Sequence, residues 1–152
     1  ITGHMDRFSG RDRLTGFKQG LREHNLPVLE ERIAYGDFTE KGGYLQTKRL
    51  LSQTEINGIF AANDLMSLGA IKAIQETGLR VPEDIAVVGF DDIPAASRHH
   101  PSLTTIRQPI HQMGSIAAQT LINQLENNVT GTTRRIILPT ELVIRETTSK
   151  MD

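Results

Sequence analysis

The chain contains no cysteine, which removes disulfide scaffolds, thiolate zinc sites, iron–sulfur clusters and cysteine nucleophiles from consideration. Neither sign of charge is in excess: 17 Lys and Arg stand against 18 Asp and Glu, a formal net charge of −1. Composition therefore does not advertise a nucleic acid or an anionic membrane as partner, and any DNA contact would have to come from residues elsewhere. Long apolar runs are missing too. Ile59-Phe60-Ala61-Ala62 and Ile85-Ala86-Val87-Val88 are typical of what is present, far short of the ~20 residues that span a bilayer. The N-terminus lacks the charged region and apolar stretch of an export signal. These absences point to a soluble chain that contacts no membrane, with the cytoplasm as its expected location.

What is present is ordinary for a globular domain: 152 residues, 38% hydrophobic and 23% charged, enough for one core. The opening Ile1-Thr2-Gly3 reads as the end of a strand running into a loop, as if the chain began within a domain, while Gly3-His4-Met5 also admits a reading as a cloning remnant.

A helix is expected from Ser9, where Ser9-Gly10-Arg11-Asp12 fits a capping box and Leu14, Phe17 and Leu21 follow at helical spacing; Asn25 and Pro27 end it. A strand is expected at Ile33-Ala34-Tyr35, then Gly36-Asp37-Phe38, then a helix capped by Thr39 and carrying Tyr44, Leu45, Leu50 and Leu51, weakened in its first turns by Gly42-Gly43. Ile59-Phe60-Ala61-Ala62 reads as a buried strand. Asn63-Asp64 then open a third helix with Leu68, Ile71 and Ile74 inward, stopped at Gly78. A strand over Ile85 to Phe90 ends in Asp91-Asp92. Further on come a strand Leu103 to Ile106, a helix with Ile110, Met113, Ala117, Leu121 and Leu125 inward, and strand-like runs at Ile136-Ile137-Leu138 and Leu142-Val143-Ile144.

Strand-loop-helix units of this length imply right-handed crossovers and a parallel sheet, so the fold class is α/β, doubly wound. Open parallel sheets bind ligands beyond the carboxyl ends of their strands. That rule selects the loop after Gly3, Asp37-Phe38, Asn63-Asp64 and Asp91-Asp92, with Arg13 near the same edge. One guanidinium fork, one amide, acceptor carboxylates and one aromatic ring suit a polyhydroxylated ligand with an apolar face, a sugar or a nucleoside. Each residue also has a purely structural reading: Asn63-Asp64 suits a helix cap, Asp91-Asp92 a turn or ion pair, Phe38 a core or dimer contact, and Arg13 a surface ion pair.

Catalytic readings find less. His4, His24, His99, His100 and His111 lack metal-ligand spacing. No phosphate loop, nucleophile elbow or dinucleotide fingerprint occurs. Mg²⁺ on Asp91-Asp92 would lack the Lys or Thr that phosphoryl transfer needs. The chain is read as a non-enzyme, with no metal and no cofactor.

Phe60-Ala61-Ala62-Asn63-Asp64-Leu65-Met66-Ser67-Leu68-Gly69-Ala70 and Val81-Pro82-Glu83-Asp84-Ile85-Ala86-Val87-Val88-Gly89-Phe90-Asp91-Asp92-Ile93 closely resemble the lactose/galactose-repressor (LacI/GalR) family of bacterial transcription regulators. The likeness extends to Arg11-Asp12-Arg13-Leu14-Thr15-Gly16-Phe17, Gly36-Asp37-Phe38, Leu103 to Pro109 and Leu138 to Arg145, covering essentially the whole chain. The resemblance implies an effector domain of two lobes, like periplasmic sugar-binding proteins, below a helix-turn-helix headpiece that is not in these residues. It implies that 1–107 is most of the C-terminal lobe, 108–133 a crossing into the N-terminal lobe and 134–152 the return strand and tail. It carries effector contacts over to Arg13, Asn63, Asp91 and Phe38, places Gln108 at the lobe crossing, and matches Arg7 and Ser9 to positions that touch ligand in some members. Phe38 stands where some members have Trp, and Asp92 is expected to cap or orient. The implied partners are a small-molecule effector, operator DNA through the headpiece, and a second copy in a homodimer. A sugar-binding protein of a transport system shares fold and pocket and is the alternative.

Overall fold

In the computed structural model, residues 1–126 and 135–148 are described. Helix α1 spans Phe8–Glu23, α2 Glu40–Gln53, α3 Asp64–Glu76, α4 Pro94–Arg98 and α5 Ile110–Glu126; strands are β1 Gly58–Phe60, β2 Ala86–Asp91, β3 Thr104–Arg107 and β4 Glu141–Val143. The sheet runs β1-β2-β3-β4, the first two pairings parallel and the last antiparallel. Ile1 and Thr2 extend it beyond β1: the Ile1 amine donates to the Phe60 carbonyl at 2.6 Å, the Ala62 amide to Ile1 at 2.9 Å and the Thr2 amide to Ala34 at 2.8 Å.

Strand periodicity gives the sheet two unlike faces. Ile59 and Val87 point into a core with Leu68, Ile71 and Ile74 of α3 and with Val81, Ile85 and Leu103. The opposite face presents Phe60, Ala86, Val88, Phe90 and Ile106 toward α1. Leu14, Phe17 and Leu21 of α1 stand off from that face across an apolar cavity of about 570 Å³, and Phe17 stacks on Phe60 with centroids 5.7 Å apart.

Several expectations change. The Ser9 capping box does not form: α1 starts at Phe8, with Arg7 in the N-cap position and no side-chain cap. Ile33 to Tyr35 does not form a strand; its pairing is one parallel bridge, Thr2 with Tyr35. Ile136 to Leu138 is not a strand. The helix expected after Gln108 forms, but α5 buries none of its residues; Ile110, Met113, Leu121 and Leu125 are exposed. Of the segments at 108–133 and 134–152, residues 127–134 and 149–152 lie outside the described residues. Gly43 and Gly69 serve packing: a Cβ at Gly43 would strike the Met66 backbone, and one at Gly69 the Glu40 carbonyl, so bare backbone lets α2 and α3 pack closely, while a Cβ at Gly42 would meet the Asp37 carboxylate. Thr39 caps α2 through the Gly42 amide, and Gly78 adopts φ +81 after α3. Among the described residues, no helix is long and apolar enough to cross a membrane.

Candidate functional site

Three non-glycine residues at the carboxyl edge of the sheet have left-handed backbone: Phe38 (φ 67), Asp91 (φ 116), the last residue of β2, and Asp92 (φ 53). Side chains disfavour this region, and such residues persist where surrounding contacts over-determine them. Here those contacts are visible. Asn63 caps α3 by accepting the Met66 amide at 3.0 Å, and its amide nitrogen donates to the Phe38 carbonyl at 3.0 Å. The half-buried Phe38 ring lies over Gly3 and packs on the cluster of Ala61, Ala62 and Met66. Asp37 accepts from the amide and hydroxyl of Thr39 at 2.9 and 2.7 Å, donations that hold its carboxyl below the ordinary range.

Asp91 collects the other half of the site. Its Oδ1 accepts from Arg13 Nη2 at 3.1 Å and from Gln108 Nε2 at 2.7 Å. Burial raises the Asp91 pKa against the opposing charge of Arg13 and these two donations. Arg13 also donates from Nη1 to the Ala62 carbonyl at 2.5 Å, and its guanidinium lies 3.9 Å from the centre of the Phe90 ring. One side chain of α1 thereby joins the ends of β1 and β2. A second cavity, of about 580 Å³, is lined by Ser9, Asp12, Arg13, Phe17, Phe90 and Gln108, among others.

The structure thus brings Arg13, Asp91 and Gln108 into direct contact, joins Asn63 to Phe38, and sets Ser9 beside Arg13 and Gln108. Arg7 stands apart, exposed at the start of α1. Asp92 is committed elsewhere: Oδ1 accepts from Arg145 Nη2 and Oδ2 from Arg107 Nε, each at 2.6 Å. Asp64 lies fully buried beneath the turn, accepting from the Thr105 hydroxyl at 2.5 Å and the Ile93 amide at 2.8 Å.

Sequence reasoning passed over Phe90, Arg107 and Arg145. Strand parity was the available signal for Phe90, since alternation puts it on the face opposite Val87 and Gly89, where α1 lies. Nothing local announces the other two. Among the described residues, no three His, Asp or Glu side chains converge as metal ligands.

The profile of the periplasmic binding protein-like domain matches residues 1–148. The HTH-type transcriptional regulator CelR of Thermobifida fusca is 36% identical over 147 residues, 96% of this chain and 43% of that protein. The chain belongs to this domain family, in its LacI/GalR branch. The HTH-type transcriptional repressor PurR of Photorhabdus laumondii is 40% identical to this LacI/GalR-type domain over 128 residues, 84% of the chain and 38% of that protein. In three dimensions the domain is similar to a CelR–cellobiose complex, with a TM-score of 0.91 and 36% identity over 97% of this chain and 45% of that one. It is similar also to a lac repressor dimer bound to operator and the anti-inducer ONPF, with a TM-score of 0.86 and 36% identity over 97% and 50% of the two chains. The chain therefore spans about two fifths of the length of these curated relatives. The relatives are transcriptional regulators, not enzymes.

Proposed function

We propose that this domain senses a small molecule for a bacterial transcription regulator, with residues 1–107 forming most of one lobe, 108–133 crossing to a second and 134–152 returning. The observation that carries this reading is the Arg13–Asp91–Gln108 cluster at the carboxyl edge of the sheet. There a carboxylate with unused lone pairs, a guanidinium and an amide meet beside an aromatic wall, the donor and acceptor set that a hydroxyl-rich ring requires. Asp91 accepts from ligand hydroxyls, Arg13 donates to ligand oxygens and Phe38 walls the ring. Asn63 has one N–H left after capping α3 and holding Phe38. Gln108 contacts ligand from the crossing, while Ser9 and Arg7 act at the rim. A sugar is the first class of effector, by likeness to the CelR–cellobiose complex, and a nucleoside or base the second, by likeness to PurR.

The ligand acts by binding two arrangements of the lobes with different affinity, since equal affinity would shift nothing. Operator DNA is bound by a headpiece outside these residues, in a cytoplasmic homodimer. Exposed Leu45 on α2 and Leu65 on α3 are candidate dimer contacts. The transport-protein alternative is set aside because the relatives are regulators. The test is an operator gel shift of the full-length gene product with a panel of sugars, nucleosides and bases. The reading expects one class to change operator affinity. A signal peptide in place of the headpiece, or no response to any class, contradicts it.

A further inference from the structure

Asp91 (φ 116) and Asp92 (φ 53) are consecutive non-glycine residues in left-handed backbone, a costly pair that contacts from outside the turn must hold. The two amides that follow Asp91 both lead to one carboxylate. Ile93 donates directly to Asp64 Oδ2 at 2.8 Å. The Asp92 amide reaches the Thr105 hydroxyl at 3.4 Å, and that hydroxyl donates to Asp64 Oδ1 at 2.5 Å. Asp64 and Thr105 are both fully buried. The turn is thereby closed into a hydrogen-bonded ring with the first residue of α3 and the second residue of β3. Gly89, two residues before Asp91, leaves the room: a Cβ there would stand 2.3 Å from Asp64 Oδ1 and 2.8 Å from Ser67 Oγ.

Stability alone does not account for this carboxylate. Burial lifts the Asp64 pKa above the ordinary range despite both donations, and the charges of Asp91 and Asp92 push the same way, so the ionised group is a cost within the core. An amide of the same shape cannot replace it, because it has one oxygen and, whichever way it turns, one of the two donors loses its acceptor. The neighbouring Asn63 holds the third left-handed residue through the Phe38 carbonyl, so adjacent residues at the start of α3 set both walls of the site. What Asp64 orients is specific. Asp91 presents Oδ1 to Arg13 and Gln108 and leaves Oδ2 without a donor among the described residues, and the preceding Phe90 ring lies 3.9 Å from the Arg13 guanidinium.

We infer that Asp64 is a positioning residue of the ligand site, acting with Thr105 to clamp the Asp91–Asp92 turn so that Asp91 keeps Arg13 on Oδ1 and offers Oδ2 to ligand. The inference rests on the effector reading for the use of that open oxygen, but the clamp itself is testable without ligand.

The Arg13 Nε–H resonance is the probe, because the Phe90 ring against the guanidinium displaces it from the ordinary arginine position; its loss in Arg13→Lys assigns it. Thr105→Val keeps the shape of the side chain and removes the hydroxyl, whereas Thr105→Ser keeps the hydroxyl. In Thr105→Val the Arg13 signal is expected to move toward the ordinary position and amide exchange at Asp92 to rise about tenfold, with exchange at Ile71 and Ile74 of α3 unchanged. Thr105→Ser is expected to keep the parent values. Asp64→Asn is expected to move the Arg13 signal in the same direction, and it decides the matter if Thr105→Val does not fold. An Arg13 signal at the parent position in folded Thr105→Val or in Asp64→Asn overturns the inference, as does a Thr105→Ser signal displaced as far as that of Thr105→Val. No arm contains ligand, so a failure here is distinct from a failure of the operator test.

Discussion

Arg13 Nη2 meets Asp91 Oδ1 at 3.1 Å across 78 positions of sequence, and this contact fixes helix α1 to the end of β2. Because α1 otherwise stands off over the cavity beneath Leu14 and Phe17, the Arg13 tether does much of the work of placing the helix. Replacing Arg13 by Met is expected to cost about 2 kcal/mol, since it removes donations to Asp91 and to the Ala62 carbonyl and leaves a half-buried carboxylate with one donor fewer. Urea unfolding measures it. Arg13→Lys is expected to recover only part, because an ammonium lacks the planar fork that reaches both acceptors and stacks on Phe90.

The α2–α3 contact gives a contrast among glycines. Gly43→Ala and Gly69→Ala each push a methyl into backbone of the facing helix and are expected to destabilise by about 3 kcal/mol or more. Gly20→Ala, in α1 with open space around it, is expected to stabilise by about 0.5–1 kcal/mol. Thermal denaturation of the three variants separates the cases by sign.

Asn63 holds two structures at once. Asn63→Ala removes the α3 cap and the tie to the Phe38 carbonyl together and is expected to cost about 1–2 kcal/mol. Asn63→Asp retains an oxygen for the Met66 amide and is expected to cost less. Equal losses in urea titrations of the two variants would show that the cap contributes nothing.

The buried carboxylates predict opposite pH slopes. Burial is the largest influence on Asp64 and raises its pKa above the ordinary 3.8, with the charges of Asp91 and Asp92 pushing the same way and donations from Thr105 and Ile93 opposing. The native state then holds this proton longer than the unfolded chain, so Asp64 costs stability as pH rises through the carboxylate range. Asp92 is held below 3.8; its contribution is present above that value and lost as pH falls. In urea unfolding at a series of pH values, Asp64→Asn is expected to gain on the parent chain as pH rises, and Asp92→Asn to lose ground over the same rise.

Much of the fold was legible because its signals are local. Asn63 with the spacing of Leu68, Ile71 and Ile74 specifies the start and face of α3, and Thr39 does the same for the start of α2. Strand-end geometry singles out Phe38, Asn63 and Asp91 from the sequence alone. The rest depends on distant partners. Arg145 reaches Asp92 across 53 positions, and no local pattern encodes that meeting. Ser9 has capping chemistry, yet the helix begins one residue earlier, at Phe8. In α5 the apolar period specifies a helix but not a cover, which is why the inward set Ile110, Met113, Ala117, Leu121 and Leu125 is exposed.

Asp91 as an acceptor for a small-molecule effector is tested most directly by a thermal-shift comparison of the parent chain and Asp91→Ala across neutral sugars, nucleosides and purine bases. A ligand at a hundredfold excess over its dissociation constant stabilises by about 2.7 kcal/mol, or about 5–10 °C for a domain of this size. A shift of that order is expected for at least one class in the parent chain and none in a folded Asp91→Ala variant. Equal shifts in both, or no shift in the parent chain with any class, would contradict it.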